Sequence, residues 1–285
     1  MKIPQRLQPL IEEGVIDDVV MQLRSGKEAQ VFVVRCGDEL RCAKMFTETR
    51  KRGFRRAETY EEGRRGRNSR RERAMAKKSR FGRQEQEQAW QNAEVDALYR
   101  LDGAGVRVPR PHGFVDDILL MEMIDDGEGG AAPRLGDVAP SHEQALDWHR
   151  RLIGDVVRML DAGLVHGDLS EFNVLVGPDG PVIIDLPQAV EAAGNNSARR
   201  MLLRDVDNLR RYLGRFAPEL LASEYGLEIW SLFERGALTP DTALSGRFEE
   251  RRDDPDVAEL LAVIDDVRRE EQARRERMAA PEDED

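Results

Sequence analysis

The sequence is poor in cysteine and has no long apolar run. Its 285 residues include only two cysteines, Cys36 and Cys42, which disfavours a disulfide-stapled secreted domain. They flank a predicted turn at 37–39 and so could lie near each other, but we expect free, buried thiols. No apolar stretch approaches the roughly 18 residues of a membrane helix, and the N-terminal residues lack a signal-peptide core. We therefore expect a cytoplasmic protein with no membrane partner.

Acidic residues outnumber basic ones overall, but one segment is strongly basic. The formal net charge is −11, which disfavours general nucleic-acid binding. Residues 48–83 nevertheless carry fifteen Lys and Arg against five Glu, with too little apolar content to fold alone. We expect a basic, flexible insertion whose 50–83 part could contact RNA or a ribosomal particle. A solvated insertion without a ligand is the competing interpretation, because regularly spaced aromatic residues for base stacking are missing.

The hydrophobic spacing predicts an α+β protein with a small β-rich N-terminal lobe and a mostly helical C-terminal lobe. We divide the chain into 1–121 for the N-terminal lobe, 122–267 for the hinge and catalytic lobe, and 268–285 for a charged tail. The predicted elements are a short helix within 7–20 interrupted at Gly14, a β-hairpin from 31–34 and 40–46, a helix over 90–101, a strand at 118–124, a glycine-rich hinge at 127–130, a helix from Ser141 to about Ala162, and a hairpin around 177–180.

Three oxygen-bearing side chains have the spacing of a phosphoryl-transfer centre. Asp168 and Asn173 stand five positions apart after a predicted helix, and Asp185 ends an apolar strand twelve residues later. In kinases this arrangement supplies the catalytic base and the oxygen ligands of the metal. Singly, such residues more often cap helices or form turns. Together they predict one site, in which His166 would hold the loop by hydrogen bonds.

A lysine and a short loop complete the predicted site. Lys44 lies within a predicted strand and would bind the α- and β-phosphates while Glu94, beside the apolar stripe of the next helix, holds it. Glu85 and Glu87 are competing partners. The Ser25-Gly26-Lys27-Glu28-Ala29 segment lies where a phosphate-covering loop belongs, although a plain hairpin turn fits it equally well, because it matches no glycine-rich phosphate motif.

These motifs together resemble the RIO protein kinase family. The resemblance rests on Ser25 to Ala29, Met121-Glu122, Gly130 to Leu135, His166 to Asn173 and Ile183 to Val190. It runs from about residue 7 to 211 and is closest to the bacterial and type-one members. It implies a compact bilobal kinase fold, serine phosphorylation including autophosphorylation, and ATP with Mg²⁺ or Mn²⁺.

The resemblance also implies a nucleotide pocket. Val31 and Met121 would belong to it, and the backbone of Glu122 and Ile124 would bind adenine. The resemblance further implies an ATPase switch, as in some members, and a role in maturation of the small ribosomal subunit, as in archaeal and eukaryotic members.

Two departures from ordinary kinases concern control and acceptor. Gly167 stands where ordinary kinases have an arginine that answers a phosphorylated activation loop, and Leu186-Pro187 replaces the Phe-Gly that follows the metal-binding aspartate. A phosphorylation switch and a peptide groove are therefore not expected. Two other functions stay open: a small-molecule phosphotransferase of the aminoglycoside or choline type, and an RNA- or ribosome-binding factor that ATP regulates.

Overall fold

The computed structural model describes residues 3–26, 29–46 and 93–248. The expected basic insertion at 48–83, the competing partners Glu85 and Glu87, and the expected tail at 268–285 lie outside these ranges. Within them, no helix combines the length and the apolar character that a membrane crossing requires.

A five-stranded antiparallel sheet forms the N-terminal lobe, with the strand order β1-β2-β3-β5-β4. The strands are β1 (Asp18–Ser25), β2 (Ala29–Cys36), β3 (Glu39–Phe46), β4 (Pro111–Val115) and β5 (Ile118–Glu122). The predicted hairpin is confirmed as β2 and β3, whose β-branched and aromatic residues suit a sheet buried on both faces. The N-terminal segment packs on one face of this sheet, and Lys44 lies on the other.

The N-terminal segment covers the outer face of the sheet. Leu7, Leu10 and Ile16 are almost fully buried there, in a cluster with sheet residues such as Phe32 and Ala43. The predicted helix over 7–20 is wrong in extent. Only α1 (Gln8–Glu12) is α-helical, after a short 3-10 turn, and the chain turns at Gly14 with φ of +70° before entering β1.

The two cysteines do not approach each other. Cys42 pairs with Val33 across the β2–β3 ladder, whereas Cys36 pairs with Glu39. Because side chains alternate along a strand, Cys36 and Cys42 project from opposite faces of the sheet. Both thiols are free, Cys42 buried and Cys36 half-buried.

Helix α2, described over 93–103, lies between the sheet and the rest of the molecule. Its residues Val95, Leu98 and Leu101 are buried in a core that also includes C-terminal residues such as Leu164 and Ile183. The N-terminal residues of the predicted 90–101 helix lie outside the described ranges. One continuous core therefore joins both lobes.

The last strand of the sheet ends at Glu122, and the chain then enters the region of the predicted hinge. Ile124 is already buried against Ala132 and Val182 of the C-terminal lobe. The glycine-rich stretch is a closed turn, because residues 125 and 131 form a β-bridge and the Asp126 N–H bonds the Gly130 carbonyl at 3.1 Å. These contacts order the stretch locally, and its role as the hinge between the lobes stays a prediction.

The described part of the C-terminal lobe, up to residue 248, is built on three α-helices and short strand pairs. They are α3 (His142–Asp161), α4 (Ala198–Leu213), α5 (Tyr225–Glu234), and the strands β6 (Leu164–Val165), β7 (Val174–Gly177), β8 (Gly180–Ile183) and β9 (Val190–Glu191). Helix α3 begins where predicted, since Ser141 and Gln144 form a reciprocal capping box. The β7–β8 hairpin is confirmed.

Candidate functional site

Lys44 lies at the centre of a buried group of charges. Its ammonium forms an ion pair with Glu94 of α2 and lies 3.5 Å from Oδ1 of Asp185. The side chains of Lys44 and Glu94 are only 13% and 9% exposed. Burial alone would lower the pKa of Lys44, but the Glu94 and Asp185 carboxylates outweigh it, so that pKa lies above its ordinary value. The lysine therefore stays charged at the cleft.

Two further candidates share the face of the sheet that carries Lys44. Val31 is directly opposite Lys44 on β2, and Met121 on β5 is opposite Cys42. Since directly paired residues and alternate residues share a face, Val31, Lys44 and Met121 all project toward the other lobe.

The candidate phosphate loop lies at the end of this ladder. Ser25 pairs with Gln30, and the Gly26 N–H bonds the Ala29 carbonyl at 3.0 Å, so the segment closes a β-hairpin. Lys27 and Glu28 lie outside the described ranges. The hairpin begins close to the Val31–Lys44 pair, on the strand next to the lysine.

The catalytic loop candidates Asp168 and Asn173 contact each other. The Asn173 side-chain nitrogen donates to the Asp168 backbone carbonyl at 2.8 Å. The side-chain oxygen of Asn173, the candidate metal ligand, takes no part in this contact. His166 is buried beneath the loop: its Nε2 bonds the Ile184 carbonyl at 3.1 Å, and its Nδ1 accepts from the Asp168 N–H at 3.3 Å. Burial lowers the pKa of His166, so the neutral ring acts as the brace that the sequence predicted.

Asp185 follows β8 on an unusual backbone. Its φ of +67° is in the left-handed region, which costs a non-glycine residue about 1 kcal/mol or more. The Ile184 N–H bonds the Asn173 carbonyl at 2.9 Å, so the chain beside Asp185 is tied to the chain at Asn173. The strained turn directs the carboxylate toward Lys44.

Asp185 and Asn173 offer the donor atoms that Mg²⁺ or Mn²⁺ prefers, a carboxylate and an amide oxygen. Among the described residues, no group of three or more His, Cys, Asp or Glu side chains is placed to hold a metal by itself. The residues present therefore fit a metal that completes its coordination with phosphate oxygens and water, the usual habit of Mg²⁺ in nucleotide sites.

The two adenine candidates have backbone groups already in use. The Glu122 N–H donates to the Arg110 carbonyl at 2.8 Å, and the Ile124 carbonyl accepts from the Ala132 N–H at 2.9 Å. A base bound at this strand end would have to use the Glu122 carbonyl and the Ile124 N–H. The Glu122 side chain instead forms a two-point ion pair with Arg107.

Sequence reasoning missed the residues of α4 that hold the catalytic loop. Asp205 accepts the Gly167 N–H at 2.8 Å and the Leu169 N–H at 3.0 Å, and Asn208 donates to the Leu169 carbonyl at 2.9 Å. Arg204 donates to the Gly167 carbonyl. Asp205 is 2% exposed, and this burial raises its pKa to about 7 against the effects of Arg204 and the two N–H donors. The sequence did offer one signal for this role, because Asp205 is a carboxylate within the apolar stripe of α4.

Gln188 was also missed as a site residue. Its side-chain amide donates to Oδ2 of Asp168 at 3.2 Å. It follows Leu186-Pro187, where the sequence had signalled only a stiff backbone.

Known proteins match most of this chain. The RIO domain model matches residues 30–225. The chain is 34% identical over 210 residues to the "RIO-type serine/threonine-protein kinase Rio1" of Haloferax volcanii, covering 72% of this chain and 67% of that protein. It is 31% identical over 197 residues to the protein of that name in Methanocaldococcus jannaschii, with coverage of 68% and 62%.

A eukaryotic relative is more distant and longer. The "Serine/threonine-protein kinase RIO1" of Chaetomium thermophilum is 27% identical over 226 residues, which cover 75% of this chain but only 42% of that protein. The chain thus matches less than half of this relative's length. These relatives are archaeal and eukaryotic, so the bacterial placement suggested by the sequence stays a prediction.

Proposed function

The chain belongs to the RIO domain family, and we propose on that basis that it is an ATP-dependent protein kinase that phosphorylates serine or threonine, its own residues included. The observation that carries the proposal is the Lys44 ammonium held between Glu94 and Asp185. Such a buried cation, fixed beside a carboxylate and facing the catalytic loop, is suited to the phosphates of a nucleotide.

The side chains would divide the work as follows. Lys44 neutralises the α- and β-phosphates, Asp168 orients the acceptor hydroxyl, and Asn173 with Asp185 holds Mg²⁺ or Mn²⁺. A divalent metal ion held by Asn173 and Asp185 would supply positive charge that offsets the charge developing during transfer. His166 and the α4 residues keep Asp168 in place without touching the nucleotide.

The nucleotide would lie between the lobes. Val31 and Met121 on the Lys44 face of the sheet would contact the base, which the Glu122 carbonyl and the Ile124 N–H would bind. The segment from Ser25 to Ala29 would cover the phosphates, and Lys27 and Glu28 stay predicted nucleotide contacts within it. We place the boundary between the lobes at 121/122 and the reaction in the cytoplasm, where two free thiols are stable.

Mass spectrometry after incubation with ATP and Mg²⁺ or Mn²⁺ tests the proposal. Phosphoserine or phosphothreonine should accumulate on the wild-type chain and disappear in Asp168→Ala. Asp185→Ala should also abolish it, because metal binding fails. Asp161→Ala is a matched control, since Asp161 is exposed at the end of α3.

The other candidate functions give different results. Phosphate release with a transient acyl phosphate on Asp185 would indicate an ATPase switch, and turnover of an amino alcohol without protein labelling would indicate a small-molecule phosphotransferase. Wild-type protein that neither labels itself or a protein acceptor nor releases phosphate would contradict phosphoryl transfer altogether. Salt-dependent binding to ribosomal particles that is lost with residues 53–78 would support the RNA contact instead.

A further inference from the structure

Gln188 makes the one side-chain hydrogen bond to the Asp168 carboxylate among the described residues. A carboxylate can only accept, so the amide nitrogen of Gln188 must face it, and the 3.2 Å contact engages Oδ2. No described donor contacts the second oxygen, Oδ1. The contact therefore distinguishes the two oxygens of a group whose chemistry depends on its direction.

The backbone of Asp168 is fixed separately from its side chain. Its N–H bonds His166 and its carbonyl accepts from Asn173. These contacts fix where the side chain starts but leave its rotamer undetermined, because Asp168 is only half-buried and its carboxylate has room to turn. Gln188 supplies the missing constraint.

Gln188 is itself held on a rigid turn. Leu186 and Ala189 are 3% and 0% exposed, and the Ala189 N–H bonds the Leu186 carbonyl at 3.0 Å. Pro187 restricts the backbone φ within the same turn. The amide is therefore presented from a fixed position rather than from a mobile loop.

We propose that Gln188 is a positioning residue for phosphoryl transfer, whose side-chain amide holds Asp168 with Oδ1 turned to the acceptor hydroxyl. This inference rests on the proposed kinase function. In the transfer step, the acceptor oxygen bonds to the γ-phosphorus and its proton moves to Oδ1 of Asp168. The bond from the γ-phosphorus to the β–γ bridging oxygen breaks, and ADP leaves with that electron pair.

A neutral amide suits this role better than a cation would. An ammonium at 3 Å would stabilise the charged carboxylate strongly and weaken it as a proton acceptor. The amide fixes direction with a smaller electrostatic effect. Lys44, the buried cation of the site, contacts Asp185 rather than Asp168.

Two substitutions at position 188 test the proposal. Gln188→Met keeps the length of the side chain and removes the donor. It should lower kcat by about tenfold or more through lost orientation, while the KM for ATP changes by less than about twofold. Gln188→Glu places a second carboxyl against Asp168. Two adjoining carboxylates share a proton, so the acidic limb of the kcat–pH profile should move to higher pH.

The control and the contrary outcomes separate this inference from the function. Gln22→Glu adds the same charge at an exposed position on β1 and should leave the pH profile unchanged. An active wild type with full kcat in folded Gln188→Met, or a Gln188→Glu profile that coincides with that of Gln188→Met, overturns the positioning role alone. An inactive wild type overturns the proposed function and this role together.

Discussion

Both terminal nitrogens of the Arg107 guanidinium contact the Glu122 carboxylate, at 2.7 and 2.9 Å. Arg107 is anchored to the C-terminal lobe by its backbone, because its N–H reaches Asp155 at 3.3 Å and its carbonyl accepts from the Ile183 N–H at 2.9 Å. Glu122 ends the last sheet strand before the crossover. The ion pair thus fixes the proposed adenine-binding backbone to the catalytic lobe.

Arg107→Lys should weaken nucleotide binding selectively. Lysine keeps the charge but loses the two-point geometry, so the KM for ATP should rise several-fold while kcat stays within about twofold. The two side chains are 41% and 33% exposed, so the free energy of unfolding should change by no more than about 1 kcal/mol. Steady-state kinetics and urea denaturation measure the two effects.

A second arginine provides the control for this prediction. Arg100 forms a similar exposed pair with Glu191 at 2.8 Å, far from the strand end. Arg100→Lys should leave the KM for ATP unchanged. An equal rise in both variants would contradict a specific role for Arg107.

Asp205→Asn should disturb the catalytic loop while leaving ATP binding nearly intact. The amide group can accept only one of the Gly167 and Leu169 N–H bonds and turns its own N–H₂ toward the other. An unmatched buried donor costs about 1–3 kcal/mol, and kcat should fall because Asp168 moves with the loop. Asp207→Asn is the matched control, since Asp207 pairs with surface arginines on the same helix.

His149 should make the protein less stable in mild acid. Its Nε2 is buried without a hydrogen-bond partner among the described residues, and burial, aided by the charge of Arg210, lowers its pKa to about 4. Between pH 6.5 and pH 4, His149 is protonated in the unfolded chain but stays neutral in the folded chain. The contribution of His149 to the free energy of unfolding should therefore fall by up to about 3 kcal/mol between pH 6.5 and pH 4.

His149→Leu should remove this pH dependence, as urea denaturation at pH 7 and pH 5 would measure. Asp205, whose folded pKa is raised, acts in the opposite direction over the same range, so variant and wild type must be compared at each pH. The exposed His142 provides the control, and His142→Gln should retain the wild-type dependence. An unchanged slope in His149→Leu would contradict the assignment.

Leu10→Ala should destabilise the N-terminal lobe, although residue 10 precedes the region 30–225 that matches the family model. Leu10 is 1% exposed against the outer face of the sheet, and such a truncation costs about 2–5 kcal/mol. Val15→Ala, at a position that is 37% exposed, should change the unfolding free energy by about 0.5 kcal/mol or less. Thermal unfolding of the two variants measures the effect. A large loss of stability in Leu10→Ala alone would show that the N-terminal segment is part of the folded core, and equal stability of both variants would contradict this.

Local sequence patterns predicted the parts of the site that short spacing defines. Asp168, Asn173 and Asp185 were found because one loop and one hairpin carry all three, and the β2–β3 hairpin followed from its β-branched runs. Asp205 and Gln188 were missed, because their partners are 36 and 20 residues away and only tertiary folding brings them together.

The errors have similar physical origins. Leu7, Leu10, Ile11, Val15 and Val19 keep a helical spacing, yet the chain turns at Gly14 and Val19 joins strand β1. Tertiary pairing with β2 overrode that local pattern. The glycine-rich stretch at 127–130 was assigned as a hinge from composition alone, and its backbone hydrogen bonds form a turn that composition does not reveal.

The shared core has a consequence for how this chain can be divided. Buried residues of α2 and of β3 and β5 belong to the same cluster as those of α3, β6 and α4. Separating the chain at Met123 would expose apolar surface on both fragments, so neither should persist as a folded unit. Expression of the two halves should succeed only when both are present, as complementing fragments of one cooperative structure.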